Sequence, residues 1–410
     1  MKNKKIVVII TSMILLIGGI LFANNVYQNK YKINKTNRKK QNNLAIMIKE
    51  DGASEYIKSS SKDIPTGNYT LNYEKSYCKN NGVIGDYDST LGKVSFSFIG
   101  TDSCYLYFDY KDNSIDIATL MIANNTDIFE ENGIRYEGTD PNNYICLDNQ
   151  KEGSCSNSTL LFRIIGLFDE EYSNNGSSST GTKKLLKVID TNNFGGTNGK
   201  MWNSSGTNNW GSASLKTELN KTYLNTLTTT SNVNDKLEGA IINAKWHLGG
   251  AMSSNYKTIT TEGIYTQERN TSAIYGGNPS SIYAKVGLMY SSDYGYATDG
   301  NGLSSSKSLC RTQTLSNWSS SSFSYCSESD WLFTSQKISW GSNKEEWLLS
   351  PYSSDQINVA YLDSLGYVNL DGTDVTDGYL FAIRPTFYLD ASILKVVGGT
   401  GTSIDPYHIG

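Results

Sequence analysis

Histidine is almost missing from this chain: His247 and His408 are the only two in 410 residues. Histidine-based acid–base catalysis therefore has little to draw on. No nucleophile elbow, Walker loop, dinucleotide fingerprint or His-x-x-x-His is present, which removes the common hydrolase, nucleotide-binding and zinc-protease classes. Glu345 and Glu346 could supply carboxylates for glycoside hydrolysis, but neighbours in a strand point to opposite faces. None of the six cysteines forms a Cys-x-x-Cys pair, no acid occurs before Glu50, and no internal repeat is evident.

What is present begins with a membrane signal. Lys2, Lys4 and Lys5 precede Ile6 to Ala23, a run of about 18 uncharged residues, the length a helix needs to cross the hydrocarbon core of a bilayer. Residues 1–23 are expected to be an uncleaved transmembrane anchor. The competing reading is a cleavable signal peptide, whose apolar core is usually shorter and for which Leu21-Phe22-Ala23 is a poor small-x-small site. Residues 24–43 are polar and basic and read as a stalk. Flanking lysines do not orient the anchor, since Lys30, Lys32, Lys35, Arg38, Lys39 and Lys40 follow it.

The cysteines orient it better. Cys78 with Cys104, Cys146 with Cys155, and Cys310 with Cys326 are sequence neighbours, and local, even-numbered cysteines read as disulfides formed in an oxidising space. Six free buried thiols in a cytosolic protein are the alternative, and a strict positive-inside count would favour it. The bulk is expected outside the cell. Nine of the 36 basic residues lie in the first 40 positions, so the remainder carries 27 basic against 40 acidic residues. Nucleic acid is an unsuitable partner for such a body.

Along the chain, Tyr69–Tyr73, Val94–Ile99 and Tyr105–Phe108 have strand composition, the last two reading as a hairpin across Gly100–Ser103. With a Cys78–Cys104 bridge they make residues 44–112 a small β-sandwich-like domain. Residues 113–143, with a short helix at Ile115–Asn124, read as a connector. All seven tryptophans lie beyond residue 200, so the large aromatic core belongs to residues 144–397. Strands are expected at Tyr144–Leu147, Leu161–Phe168 and Lys184–Ile189, with an exposed loop at 173–182. Leu215, Leu219, Tyr223 and Leu227 recur every four positions and predict a helix over Ser214–Leu227, N-capped by Ser212 or Ser214. A second is expected over Val233–Leu248, stopped by Gly249-Gly250. Residues 253–339 read as short strands, such as Tyr283–Tyr290, among long loops; Trp347–Ser350, Asn358–Leu362, Gly366–Leu370 and Tyr379–Leu389 read as consecutive strands of one antiparallel sheet, and 398–410 as a tail.

The motifs Trp210-x-x-x-Ser214-Leu215-x-x-x-Leu219-Asn220-x-x-Tyr223-Leu224, Trp347-Leu348-Leu349-Ser350-Pro351, Gly366-Tyr367-Val368 and Ile383-Arg384-Pro385-Thr386-Phe387-Tyr388-Leu389 together resemble a domain of unknown function in exported proteins of Gram-positive gut bacteria. That domain is similar to the C-type-lectin-like superfamily and to the end of formylglycine-generating enzymes. The resemblance covers about Tyr144 to Asp390. It implies an α+β, C-type-lectin-like C-terminal domain in which Trp347 and Arg384 are structural. Formylglycine-generating enzymes carry two active cysteines before the final G-x-R strand; here there is none between Trp331 and Arg384, and no glycine precedes Arg384. Oxidase chemistry is not carried over.

Candidate binding residues are few. Asp293, Asp299 and Asn301 place three oxygen ligands on a glycine-containing loop, a set suited to Ca²⁺, although neither EF-hand spacing nor the Glu-Pro-Asn and Trp-Asn-Asp signatures of sugar-binding lectins occur; a turn built for its backbone preferences is the plainer alternative. Trp318, between Asn317 and a serine run, is the tryptophan least suited to a core and the candidate to stack on a ligand. His247, near the end of a predicted helix, reads as a partner of the helix dipole. Arg384, in an apolar strand, is expected to be buried against a carboxylate or carbonyls. The reading that results is a single-pass, outward-facing membrane protein that recognises a glycan or protein ligand without catalysis and needs no cofactor beyond possible Ca²⁺. A cell-envelope enzyme or a structural surface component are the rivals.

Overall fold

The computed structural model of the chain describes residues 43–50, 53–89, 91–98, 100–111, 115–123, 127–340 and 345–410. The expected anchor and nearly all of the expected stalk lie outside them. Among the described residues no helix is long and apolar enough to cross a membrane. The architecture is α+β, and the chain divides into two compact units that meet in sequence at Asn113 and Ser114.

The smaller unit is a two-layer β structure. Its main sheet has the order Ile57–Lys58, Asn43–Lys49, Ser103–Tyr110, Tyr69–Leu71, with Tyr77–Cys78 also on Ser103–Tyr110. A hairpin of Val83–Asp88 and Lys93–Ser97 forms the other layer. Strand alternation turns Ile46, Leu106 and Phe108 inward, and Ile84, Tyr87, Val94 and Phe96 of the hairpin pack on them. The expected pairing of 94–99 with 105–108 is therefore corrected. Both segments are strands, but they lie in different layers, because the first finds its partner upstream and the second pairs in parallel with Asn43–Lys49. Four buried apolar side chains make a small core, and the Cys78–Cys104 bridge across adjacent strands adds about 3–4 kcal/mol by constraining the unfolded chain.

The larger unit is built on a twelve-stranded sheet whose main path runs Val286–Gly287, Thr386–Asp390, Gly181–Asp190, Leu161–Tyr172, Tyr144–Cys146, Tyr407–Ile409, Lys395–Gly398, Ile115–Asp116. Residues 162–168 of its central strand are all buried, the pattern of a strand covered on both faces. A bulge between Ile164 and Gly166 admits the branch strand Ile134–Tyr136. A Cβ at Gly166 would stand 2.4 Å from the Ile134 carbonyl oxygen, so that close approach requires glycine. Two segments thus belong to the body rather than to its margins. The expected connector supplies three strands and buries Ile117, Met121 and Tyr136, and the expected tail ends in the fully buried Tyr407–Ile409, paired on both sides.

The helix at 214–229 forms with Leu215, Leu219, Tyr223 and Leu227 buried, as its period requires. Its middle turn is π-helical over Leu219–Tyr223. Within that turn Asn220 bonds to the amides of Lys285 and Val286 and the Val286 carbonyl, docking the helix on the sheet edge. The N-cap is Ala213 without a side-chain bond, because the Ser214 hydroxyl accepts from Ser204 N instead.

The predicted helix over Val233–Leu248 shrinks to Leu237–Ala240 and then becomes the strand Ala244–His247. Ala244, Trp246 and Leu248 are buried at every second position, and the partner Ser281–Ala284 selects that period. Residues 253–339, read as short strands among loops, keep the strands Ser281–Ala284 and Val286–Gly287 but also form five helices that were not expected: Thr261–Arg269, Ser291–Tyr296, Ser304–Thr312, Ser324–Glu328 and Trp331–Trp340. These helices are short, and tertiary anchors such as Trp318, Trp331 and the Cys310–Cys326 bridge supply what their local sequence lacks. Glu346–Pro351, Asn358–Leu362 and Val368–Asp374 form the expected antiparallel sheet. The final strand, Thr386–Asp390, leaves it and pairs with Gly181–Asp190 in the large sheet.

Candidate functional site

The central strands carry charge into the interior. Arg135 and Lys187 are almost completely buried, and both point at Asp293, Arg135 Nη1 at 3.1 Å and Lys187 Nζ at 2.5 Å. The Tyr290 amide donates to the same carboxylate at 2.9 Å. Burial alone would raise the Asp293 pKa, but the two cations outweigh it and hold the carboxylate below its ordinary range. The Arg135 guanidinium lies 4.6 Å from the Phe168 and Tyr296 ring centroids, and Lys187 4.2 Å from that of Tyr290.

A second set of buried charges adjoins the first. Glu268 accepts from the hydroxyl and amide of Ser292 and from Ser350 Oγ, and burial pushes its pKa up. Arg269 stacks over Tyr265 at 3.7 Å and donates to Glu170 at 3.2 Å, with His247 Nε2 3.6 Å away on the same carboxylate. Glu170 is nine-tenths buried; burial raises its pKa, yet the His247 contact and the Arg269 charge bring it below the ordinary carboxylate range.

Glu170 opens onto a cleft of about 260 Å³ whose other polar walls are Glu130, Asn132, Asp169, Lys184 and Tyr265. Lys184 pairs with Asp169 at 3.1 Å on the exposed rim. The arrangement offers carboxylate acceptors, an amide, an ammonium donor and two aromatic rings, those of Phe168 and Tyr265, fixed from behind by ion pairs. Such a set binds a polar ligand with little reorganisation.

The residues singled out from sequence fall elsewhere. Asp293 is removed from the expected Ca²⁺ loop by Arg135 and Lys187, which take up both its oxygens. Asp299 caps the amide of Asn301, itself at φ 63°, in a local turn. The three do not form a common oxygen cage. Among the described residues the one cluster with metal-ligand geometry is Cys146, Asp148 and His408, and Cys146 is committed to a disulfide. Trp318 is fully buried, 5.2 Å from Tyr294, with its indole N–H on the Cys310 carbonyl, so it is a core residue and not a ligand platform. His247 lies on a strand, not at a helix end. Trp347 is buried with its N–H on the Lys200 carbonyl.

Arg384 is where its chemistry required. It is buried and bidentate to Glu346 at 2.8 Å through both contacts, with further bonds to Ser335 Oγ and the Leu332 carbonyl. All three expected disulfides are present. Arg135, Glu170, Lys187, Glu268 and Arg269 were not foreseen. One of them had a visible signal: Lys187 interrupts Leu185-Leu186 and Val188-Ile189 in a predicted buried strand, where a charge needs a partner. Comparison of the chain with family models, with curated proteins and with solved structures finds no match in any of the three.

Proposed function

We propose that this is a single-pass, outward-facing surface protein whose larger unit is C-type-lectin-like and binds an extracellular glycan in the Glu170–Tyr265 cleft without transforming it. The observation that carries the reading is the cleft itself: carboxylate, amide and ammonium groups converge around one tyrosine ring, and a buried ion-pair chain holds Glu170 and Arg269 in place. Sugar hydroxyls are met by such acceptors and donors, and a ring face by an aromatic side chain.

Three disulfides favour an oxidising location. The C-type-lectin-like assignment draws support from the three-stranded sheet of Glu346–Pro351, Asn358–Leu362 and Val368–Asp374, its glycine turn at Gly366 (φ 85°), and Arg384 locked onto Glu346.

The test is a glycan array probed with the full-length protein in detergent, followed by titration of any hit. Tyr265→Ala is expected to weaken binding about tenfold by removing the stacking surface. Hits that bind Tyr265→Ala and Glu170→Gln as tightly as the wild type would place recognition elsewhere. A blank array with a positive protein-interaction screen would replace the glycan by a protein ligand.

A further inference from the structure

The small unit presents a second surface that does not depend on the cleft. Ser103–Tyr110 sends Cys104, Leu106 and Phe108 into the core, so Tyr105, Tyr107 and Asp109 face outward. The parallel register sets Ala45, Met47 and Lys49 beside them on that face, and Lys58 beside Met47. Tyr77, directly opposite Tyr105, stacks on it with 5.0 Å between centroids and 13° between planes, and is 47% exposed. Tyr56 packs edge-on against Tyr107 at 5.0 Å.

Lys79 stands 5.4 Å over the Tyr105 ring and Lys75 4.6 Å over the Tyr56 ring. The carboxylate that register and contacts place here, Asp109, is occupied by the Tyr56 hydroxyl and by Asn72 Nδ2 at 2.7 Å. Asp109 keeps its charge beside Lys49 and Lys75, but Lys49, Lys58, Lys75 and Lys79 outnumber it, so the face is net cationic on a chain whose net charge is −4.

A pair of stacked tyrosines, Tyr77 exposed and Tyr105 half-buried, flanked by ammonium groups has a specific complement. The C–H face of a sugar ring covers an aromatic ring, and an anionic substituent on the sugar reaches a lysine. An open sheet face, unlike a cleft, accommodates a polymer lying along it. We propose that this tyrosine–lysine face binds an acidic polysaccharide, with sugar rings on Tyr77 and Tyr105 and carboxylates on Lys75 and Lys79.

Oligogalacturonate, a chain of uronic acids, is the probe, titrated against the full-length protein at low and at physiological salt. Binding is expected to weaken with salt and to fall about tenfold in Tyr77→Ala and again in Lys79→Gln. Tyr265→Ala, which alters only the cleft, is expected to bind the probe as the wild type does, which separates this surface from the glycan site proposed above. Polyglutamate, with charge but no rings, and a neutral maltooligosaccharide, with rings but no charge, should each bind more weakly than the probe. No binding of oligogalacturonate, equal binding of either control polymer, unchanged binding by the Tyr77→Ala/Lys79→Gln double variant, or loss in Tyr265→Ala overturns the proposal. Non-reducing mass analysis of the Cys78–Cys104 bridge in each variant establishes that the small unit is folded.

Discussion

Replacing Arg384 by alanine should destabilise the larger unit by about 3–5 kcal/mol, because it strands a buried carboxylate. Glu346 is 1% exposed and its two oxygens accept from Arg384 alone among side chains, at 2.8 Å each. Burial already pushes its pKa up with the arginine in place. Without Arg384, Glu346 must either remain ionised and unpaired or take up a proton. The substitution also leaves Ser335 Oγ and the Leu332 carbonyl short of a donor. In a unit of this size the loss corresponds to a fall in Tm on the order of 10 °C.

The pH dependence has a definite sign. A carboxyl whose folded pKa lies above its unfolded value contributes stability below the unfolded pKa and loses it as pH rises, so the defect of Arg384→Ala should shrink toward pH 4 and grow toward neutrality. Chemical unfolding of wild type and variant at several pH values measures this, with hydrogen exchange at Leu106 and Phe108 following the small unit, whose protection should not change. Removing both charges in an Arg384→Met/Glu346→Leu variant should cost less than Arg384→Ala alone. A variant that unfolds with the wild type, or a double variant worse than the single, would refute the reasoning.

Asp190 is fully buried, and burial, only partly offset by bonds from Asn192 and Tyr223, raises its pKa to about 6. Its contribution is therefore present below about pH 4 and is lost as pH rises to about 6, a difference of roughly 3 kcal/mol, and Asp190→Asn should remove that segment of the stability–pH curve measured by denaturant unfolding. Trp318→Ala should cost about 3–5 kcal/mol through the cavity it leaves, read as a lower Tm, whereas a surface ligand platform would show almost none. Asp293→Asn should be destabilising by several kcal/mol, since it leaves Arg135 and Lys187 buried without their counter-ion, and neither chelator nor millimolar Ca²⁺ should shift the wild-type Tm.

Much of the site escaped the sequence for one physical reason: it is assembled from partners far apart in the chain. Arg135, Lys187 and Asp293 are separated by more than 50 residues each way, and nothing local in Ser291–Tyr296 distinguishes an acid that caps a helix and neutralises two cations from one that ligates Ca²⁺. Trp318 misled in the opposite direction. Its polar neighbours suggested exposure, but the Cys310–Cys326 bridge and Tyr294 enclose it. Arg384 was legible because a guanidinium in an apolar stretch has one stable resolution, a buried partner.

The sequence by itself determined what depends on neighbours along the chain: the Ser214–Leu227 helix from its four-residue period, the three disulfides from short spacings, and the location of the large aromatic core from the placement of tryptophan. Tertiary structure decided what depends on distant pairing. Only the sheet could select a two-residue period at Ala244–His247, send Thr386–Asp390 to the large sheet, turn the expected connector and tail into strands, and join Asn43–Lys49 in parallel to Ser103–Tyr110. In each case the local residues are compatible with more than one partner, and the choice is made by which pairing buries the apolar face and satisfies the backbone at once.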